Sequence, residues 1–297
     1  MSAVLEARDL EAAVVDRTSA PRSRARVEGI IGITLLAAIL LGVTMVRIFQ
    51  IGDPNAPNLG EVFASPSLEH PFGTDSLGRD VFLRTLYAGW IDIGVSLLAT
   101  ATAVVIGLTI GVVAAYKRGA VDSVLMRITD AMIAFPFLIL GFAIVTITGP
   151  GALIGLYFAL VAKGWPAYAR ISRGETLVVR EQDYVHAART LGLGPVRILV
   201  RHVVPNVVRP CLVFSFADLI VNILLITTLS YLGLGIQPPT AEWGAIIAEG
   251  QTYIFTAWWI STLPGIFVVL FGVSVSFLGE ALGRVEGSWL GAAGGRG

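Results

Sequence analysis

The chain has 297 residues, 55% hydrophobic and only 14% charged, against the roughly one quarter charged that is usual in soluble domains. That balance excludes a soluble globular protein and fits a polytopic membrane protein, and a net charge of zero gives no global field of the kind that attracts nucleic acid. The lone Cys211 excludes an internal disulfide and a cysteine-based metal cluster.

Residues 1–26 are polar, with Glu6, Asp9, Glu11 and Asp16 ahead of Arg17, Arg22, Arg24 and Arg26, and read as a disordered cytoplasmic N-terminal tail. Residues 27–49 are expected to form the first transmembrane helix. The apolar run is long enough, at about 1.5 Å per residue, to cross a ~30 Å hydrocarbon core, and too long for a cleaved secretory signal. Residues 50–86 form a polar loop, expected on the periplasmic or extracellular side, holding His70-Pro-Phe-Gly-Thr-Asp75-Ser-Leu-Gly78-Arg79-Asp80. The spacing there matches no metal-ligand set and no phosphate loop.

Residues 87–280 are expected to be a five-helix core. The second span, over 87–116, carries Gly94, Ser96, Thr100, Thr102, Gly107 and Gly111, small residues that let helix backbones approach closely in lipid. A third span over 124–148 has Asp130 near its entrance and Pro136 as a kink. In the fourth, residues 152–162 are apolar before Lys163, Trp165 and Pro166 intervene. Charge placement argues that it crosses. With six spans only Arg47, Arg79 and Arg84 of the 21 basic residues fall on the outer side, as the positive-inside rule requires.

Between the fourth and fifth spans lies an arginine-studded loop, 170–209. Leu177, Tyr184, Ala188 and Leu191 recur at helical spacing, while Arg180, Glu181, Asp183, His186 and Arg189 lie off that stripe. Gly192 and Pro195 then supply a left-handed helix end and a helix start. The expected element is helix, tight turn and short helix stopped by Pro205. Periodicity alone suits a surface helix or one lying in the lipid interface equally well.

The fifth span, 210–232, contains Asp218 and Asn222 at i, i+4. An acid inside the membrane costs about 2.5–3.5 kcal/mol at a helix centre and must face protein or a water-filled path. A helix-to-helix hydrogen bond and a lining role in a translocation path fit equally. The outer connection that follows has no basic residue, and Trp258 and Trp259 open the sixth span, 257–279, as an interfacial belt. Residues 281–297 read as a short, Gly-rich tail.

Four strings in this chain resemble permease subunits of binding-protein-dependent ABC importers. Ala187-Ala188, Gly192 and Pro205 stand at the spacing of the family's E-A-A-x3-G-x9-I-x-L-P loop, with His186 where the family has Glu, His202 for Ile and Val204 for Leu. Asp130-x4-Phe135-Pro136 is also similar to the family. The strings H-P-F-G-T-D-x-L-G-R-D at 70–80 and L-S-x-L-G-L-G-x-Q-P-P-x-x-E-W-G at 229–244 resemble its peptide and nickel branch.

The resemblance implies an all-α, six-helix type I importer permease fold in a bacterial inner membrane, with both termini cytoplasmic. His186, Ala187, Ala188, Gly192 and Pro205 would couple to an ATPase, and Gln237, Pro238, Glu242 and Trp243 would contact a solute-binding protein outside. It further implies a homologous second permease, two ATP-binding subunits that hold ATP and Mg, and a peptide substrate, with nickel or another small solute as the alternative. In that reading Asp218 and Asn222 would line the path.

No Gly-x4-Gly-Lys-Ser/Thr motif is present, since Lys117 and Lys163 are the only lysines and neither follows Gly or precedes Ser/Thr. Gly-x-Ser-x-Gly, His-Glu-x-x-His and Cys-x-x-Cys are also missing, so no catalytic residue, metal site or cofactor site is assigned. An ion-coupled secondary transporter should show broken helices repeated in two halves. Here no such repeat is visible and the large polar loop is the most elaborate feature.

Overall fold

The structure, a computed structural model, describes residues 22–149 and 151–294, with side-chain environments over 27–149 and 151–283. The tail expected over 1–26 lies outside these residues until the first helix begins at Arg22. The elements run α1 Arg22–Ile48, α2 Val81–Lys117, α3 Gly119–Ala134, α4 Phe137–Thr148, α5 Leu153–Val179 and α6 Asp183–Thr190. Then follow α7 Pro195–Ile198, a π-helical turn Leu199–Val203, α8 Val204–Tyr231, α9 Trp243–Gln251 and α10 Trp259–Gly294, with no β-strand among the described residues.

Four stretches are long and apolar enough to cross a membrane: Val27–Ile48, Val81–Lys117, Pro195–Tyr231 and Trp259–Gly283. The third expected span is not one helix. α3 and α4 pass that test only together and meet at 91°, because Phe135 before Pro136 is extended, as residues preceding proline tend to be. With 12 residues α4 alone reaches only about 18 Å. α5, the expected fourth span, has 27 residues, enough to cross; it is not among the four apolar stretches and carries Lys163, Arg170 and Arg173.

Element boundaries also shift. α2 begins at Val81 rather than 87, where Asp80 Oδ1 caps the helix by accepting from Leu83 N at 2.7 Å. α10 runs past Glu280 to Gly294, so residues 281–294 continue the last helix where a tail was expected.

Close helix contact is made where side chains are small. A Cβ at Gly107 would come within 2.5 Å of the Trp165 carbonyl oxygen and of Tyr168 Cβ, so α2 touches α5 backbone to backbone, and Ser172 Oγ donates to the Gly107 carbonyl at 3.1 Å. Around this seam, Ala103, Tyr168 and Cys211 are buried together. At one end of the bundle a larger apolar core gathers α1, α2, α9 and α10 around Trp243, Ile260 and Phe271.

The 50–80 loop is fastened to that end by buried ions. Arg79 Nε lies 2.6 Å from Asp75, and Arg79 and Arg84 both reach Glu249 of α9, at 2.9 and 3.3 Å. Phe63 packs against Tyr253 with the rings tilted and centroids 4.8 Å apart, and Trp259 Nε1 donates to the Thr74 carbonyl at 3.1 Å.

Gly107→Val is therefore expected to force α2 and α5 apart, a cost of roughly 1–3 kcal/mol or more, and to lower the melting temperature of the detergent-purified protein. Gly94→Ala, where no atom lies within 4 Å of the added carbon, should leave it unchanged.

Candidate functional site

The 170–209 loop folds as a compact unit. α5 ends at Val179, the chain turns over 180–182, and α6 begins at Asp183, so the single amphipathic helix expected from Leu177 to Leu191 is two. The apolar stripe differs accordingly. Val179, Val185 and Ala188 are buried with Val112, Ile198, Val203 and Val207, whereas Tyr184 and Leu191 are exposed. The stripe drawn from Leu177 assumed one unbroken helical phase, and the turn at 180–182 resets it.

The glycine turn is as expected. Gly192 has φ +76°, its N–H donates to the Arg189 carbonyl at 2.9 Å and the Leu193 N–H to the Ala188 carbonyl at 3.2 Å. These are the two bonds of a Schellman helix end. Pro195 opens α7.

Pro205 does not stop a helix. It sits in the first turn of α8, just after a π turn in which Val204 N–H bonds Leu199 O. Proline has no N–H to give, and the wider turn before it lets the helical path run on from Pro195 to Tyr231. The fifth span thus starts well before Pro210, which lies inside α8. Among the expected coupling residues, His186, Ala187, Gly192 and Pro205 are exposed, but Ala188 is only 5% exposed and packs inward. A partner can therefore touch its neighbours and not Ala188. Val196 and Val200 join Leu191 as outward apolar side chains.

In the middle of the helices lies a polar knot whose pairing spacing did not reveal. Lys163 Nζ donates to Asp218 Oδ1 at 2.6 Å and to Asn222 Oδ1 at 3.2 Å. Tyr168 Oη donates to Asp218 Oδ2 at 3.1 Å, and Asn222 Nδ2 to Thr100 Oγ1 at 2.9 Å. Thus α2, α5 and α8 are joined by Thr100, by Lys163 and Tyr168, and by Asp218 and Asn222. The signal was present: Lys163 and Asp218 are opposite charges isolated in apolar runs, and such charges pair.

At the other end, the 229–244 string is packed rather than displayed. Glu242 caps α9 by accepting from Gly244 N at 2.9 Å and Ala245 N at 2.8 Å. Trp243 donates from its backbone N–H to Asp92 Oδ2 at 3.1 Å and from Nε1 to the Thr85 carbonyl at 2.9 Å. Both are 0% exposed, so neither meets a docked protein, contrary to expectation; Gln237 and Pro238 remain on the surface.

In the 50–80 loop the fold brings Glu61, Glu69 and His70 within 4.8 Å of one another. The ring of His70 is already engaged, Nδ1 to Asp80 at 2.7 Å and Nε2 to Glu61 at 3.2 Å. Its hydrogen bond to Asp80, then that to Glu61, outweighs burial and raises the imidazole pKa.

Residues 107–285 match the family model of the binding-protein-dependent transport system inner membrane component. A Brucella suis protein with the provisional name of peptide transport system permease is 39% identical over 252 residues, 85% of this chain and 84% of its own. A probable D,D-dipeptide transport system permease of Escherichia coli K12 is 35% identical over 250 residues, 83% and 84% of the two chains. The E. coli O6:K15:H31 glutathione transport system permease is 37% identical over 217 residues, 73% and 71%. In fold, the chain is similar to an inward-facing MetNI methionine ABC transporter, with a TM-score of 0.56 at 19% identity, covering 69% of this chain and 96% of that one.

Two outcomes follow from this geometry. Lys163→Met or Asp218→Asn alone leaves a buried partner unneutralised, at a cost of about 3–5 kcal/mol, and should reduce the folded fraction recovered from membranes in size-exclusion chromatography. The double variant should recover most of it. For His70, the ion pairs to Asp80 and Glu61 are complete below the ordinary imidazole value of 6.5 and lost as pH rises through the elevated folded value. Amide-exchange protection of residues 61–80 should accordingly fall over that rise, and His70→Gln should flatten the profile.

Proposed function

The chain belongs to the binding-protein-dependent transport system inner membrane components, the permeases of ABC importers, and from that premise we propose that it forms half of a peptide translocation path coupled to separate ATPases. It is a multi-pass membrane protein and not itself an enzyme, having no nucleotide-binding motif of its own. A second, homologous permease completes the path between the two chains. Two ATPase subunits holding ATP and Mg sit beneath it at the cytoplasmic face, and a solute-binding protein delivers cargo from outside. Both termini and the 170–209 loop are cytoplasmic in this reading, which the crowding of basic residues into that loop supports. Peptides are the substrate class because the relatives at 35–39% identity are named for peptides, dipeptides and glutathione.

One observation carries the coupling role: the Gly192 turn presents His186, Ala187, Leu191, Val196 and Val200 outward from a base that is itself core. A rigid, partly apolar projection at the head of the helix that reaches Asp218 is suited to transmit movement of the ATPase pair into the membrane. ATP binding closes that pair, pushes the loop and opens the path outward. An ion-coupled carrier is less well served, because the mid-membrane acid Asp218 is committed to Lys163 at 2.6 Å. His186 lies 3.7 Å from Glu181 and half exposed, free to meet the ATPase where the family's Glu would.

Gly192→Val tests this. A β-carbon in the left-handed region costs about 1–2 kcal/mol, which distorts the turn while leaving the spans intact. Membrane levels should stay near those of the wild type, whereas peptide uptake and substrate-stimulated ATP hydrolysis in proteoliposomes should fall together by tenfold or more, roughly the loss expected when a rigid contact is misplaced. A cysteine at Ala187 should cross-link to the ATPase subunit, and the cross-link should disappear with Gly192→Val. Transport at the normal rate would show the loop to be an ordinary surface connection.

A further inference from the structure

We propose that the turn at residues 67–70 is the docking knob for the solute-binding protein, and that the surface it meets there is basic around an apolar recess. The proposal rests on the importer reading above, which puts residues 50–80 outside.

The turn is closed on itself. Ser67 N–H donates to the His70 carbonyl at 2.9 Å, and His70 N–H donates back to Ser67 Oγ at 3.1 Å. Its base is held through the His70 ring by Asp80 and Glu61, and the loop as a whole by the Arg79 and Arg84 pairs to Glu249. At the tip stand Leu68, 104% exposed, and Glu69. A leucine displayed in full on a fixed turn gains nothing for folding, yet the backbone that carries it is already ordered by the turn's own hydrogen bonds, which lowers what association has to order. Leu59 and Leu77, on the same loop, are also exposed.

Charge defines the partner. Of the three arginines at this end, Arg79 and Arg84 of the loop and the following helix start are buried in ion pairs, Arg47 is exposed at the end of α1 ahead of the loop, and the connection over 232–258 has no basic residue. Asp53 and Glu69 are exposed carboxylates, while Glu61, its side chain 41% exposed, is shared with the His70 ring. Among the described residues, then, loops 50–80 and 232–258 offer acid and leucine without a free cation, and a complementary face supplies lysine or arginine around an apolar pocket. Glu242 and Trp243, the sequence's own candidates for this contact, are inside the protein. An anionic bilayer surface would be repelled by Glu69.

The test uses the complete importer complex in nanodiscs of phosphatidylcholine, titrated with the fluorescently labelled solute-binding protein that stimulates its ATP hydrolysis. Leu68→Ser and Glu69→Lys should each weaken binding about tenfold, as loss of a central contact does, and Glu69→Lys should also reduce the salt dependence. Basal ATP hydrolysis should not change in either. Wild-type affinity in both variants would overturn the proposal, as would a blue shift of an environment-sensitive dye at Leu68→Cys in nanodiscs without binding protein, which would put the tip in lipid. A wild-type complex that no solute-binding protein binds or stimulates would refute the importer reading itself.

Discussion

A lysine in the middle of an apolar helix has to be neutralised within the protein, and the Lys163–Asp218 pair at 2.6 Å is where this chain does so. Neither residue could lie alone in hydrocarbon, so α5 and α8 are held in one register wherever the pair persists. Asn222 and Tyr168 occupy further hydrogen-bonding positions on the two charges, and Asn222 extends the knot to Thr100 of α2. The α2–α5 seam is a second fastening, with Gly107 set against the Trp165 carbonyl and Tyr168. Hydrophobicity supplies no drive for helices to meet in lipid; backbone proximity and polar bonds do.

From this knot the helical path of α8 runs back without a loop, through Pro205 and the π turn, to Pro195 and the Gly192 turn. The unit at its head is not hinged on a flexible connection, since Val185, Ala188 and Ile198 are buried against Val112, Val179 and Val207 of the long helices. In the proposed coupling, a push on the exposed side of that unit would reach the base of α8 and, along it, Asp218. The opposite end of the bundle is fixed in a different way, by α9 wedged between its neighbours through Trp243 and by the ion cluster of Asp75, Arg79, Arg84 and Glu249. In the proposed coupling the first end would act as the lever and the second as its platform.

Hydropathy made the apolar spans legible, and the Gly192–Pro195 turn was legible because a left-handed helix end has a residue signature that depends on backbone sterics alone. Pro205 misled because a proline's missing N–H can be absorbed by a π turn as well as by termination, and residue type does not distinguish them. The 229–244 string was recognisable, but its motif says nothing of which way Glu242 and Trp243 point. They look inward because an N-cap carboxylate and an indole N–H each found a backbone partner there. Stripe phase failed across the break at 180–182 for a similar reason, since periodicity holds only within one helix. Pairs distant in sequence, such as Arg79 with Glu249, leave no local trace.

The proposed coupling requires that the loop around Gly192 and the membrane helix α8 move as one body. Spin labels at Ala187, exposed on α6, and at Leu212, exposed on α8, would measure this in the assembled complex by pulsed electron spin resonance. The nucleotide-free and ATP-trapped complexes should give superimposable distance distributions between the two labels. A shift approaching one helical turn, about 5 Å, would mean that the loop slides or unhinges from α8, and the lever would not exist.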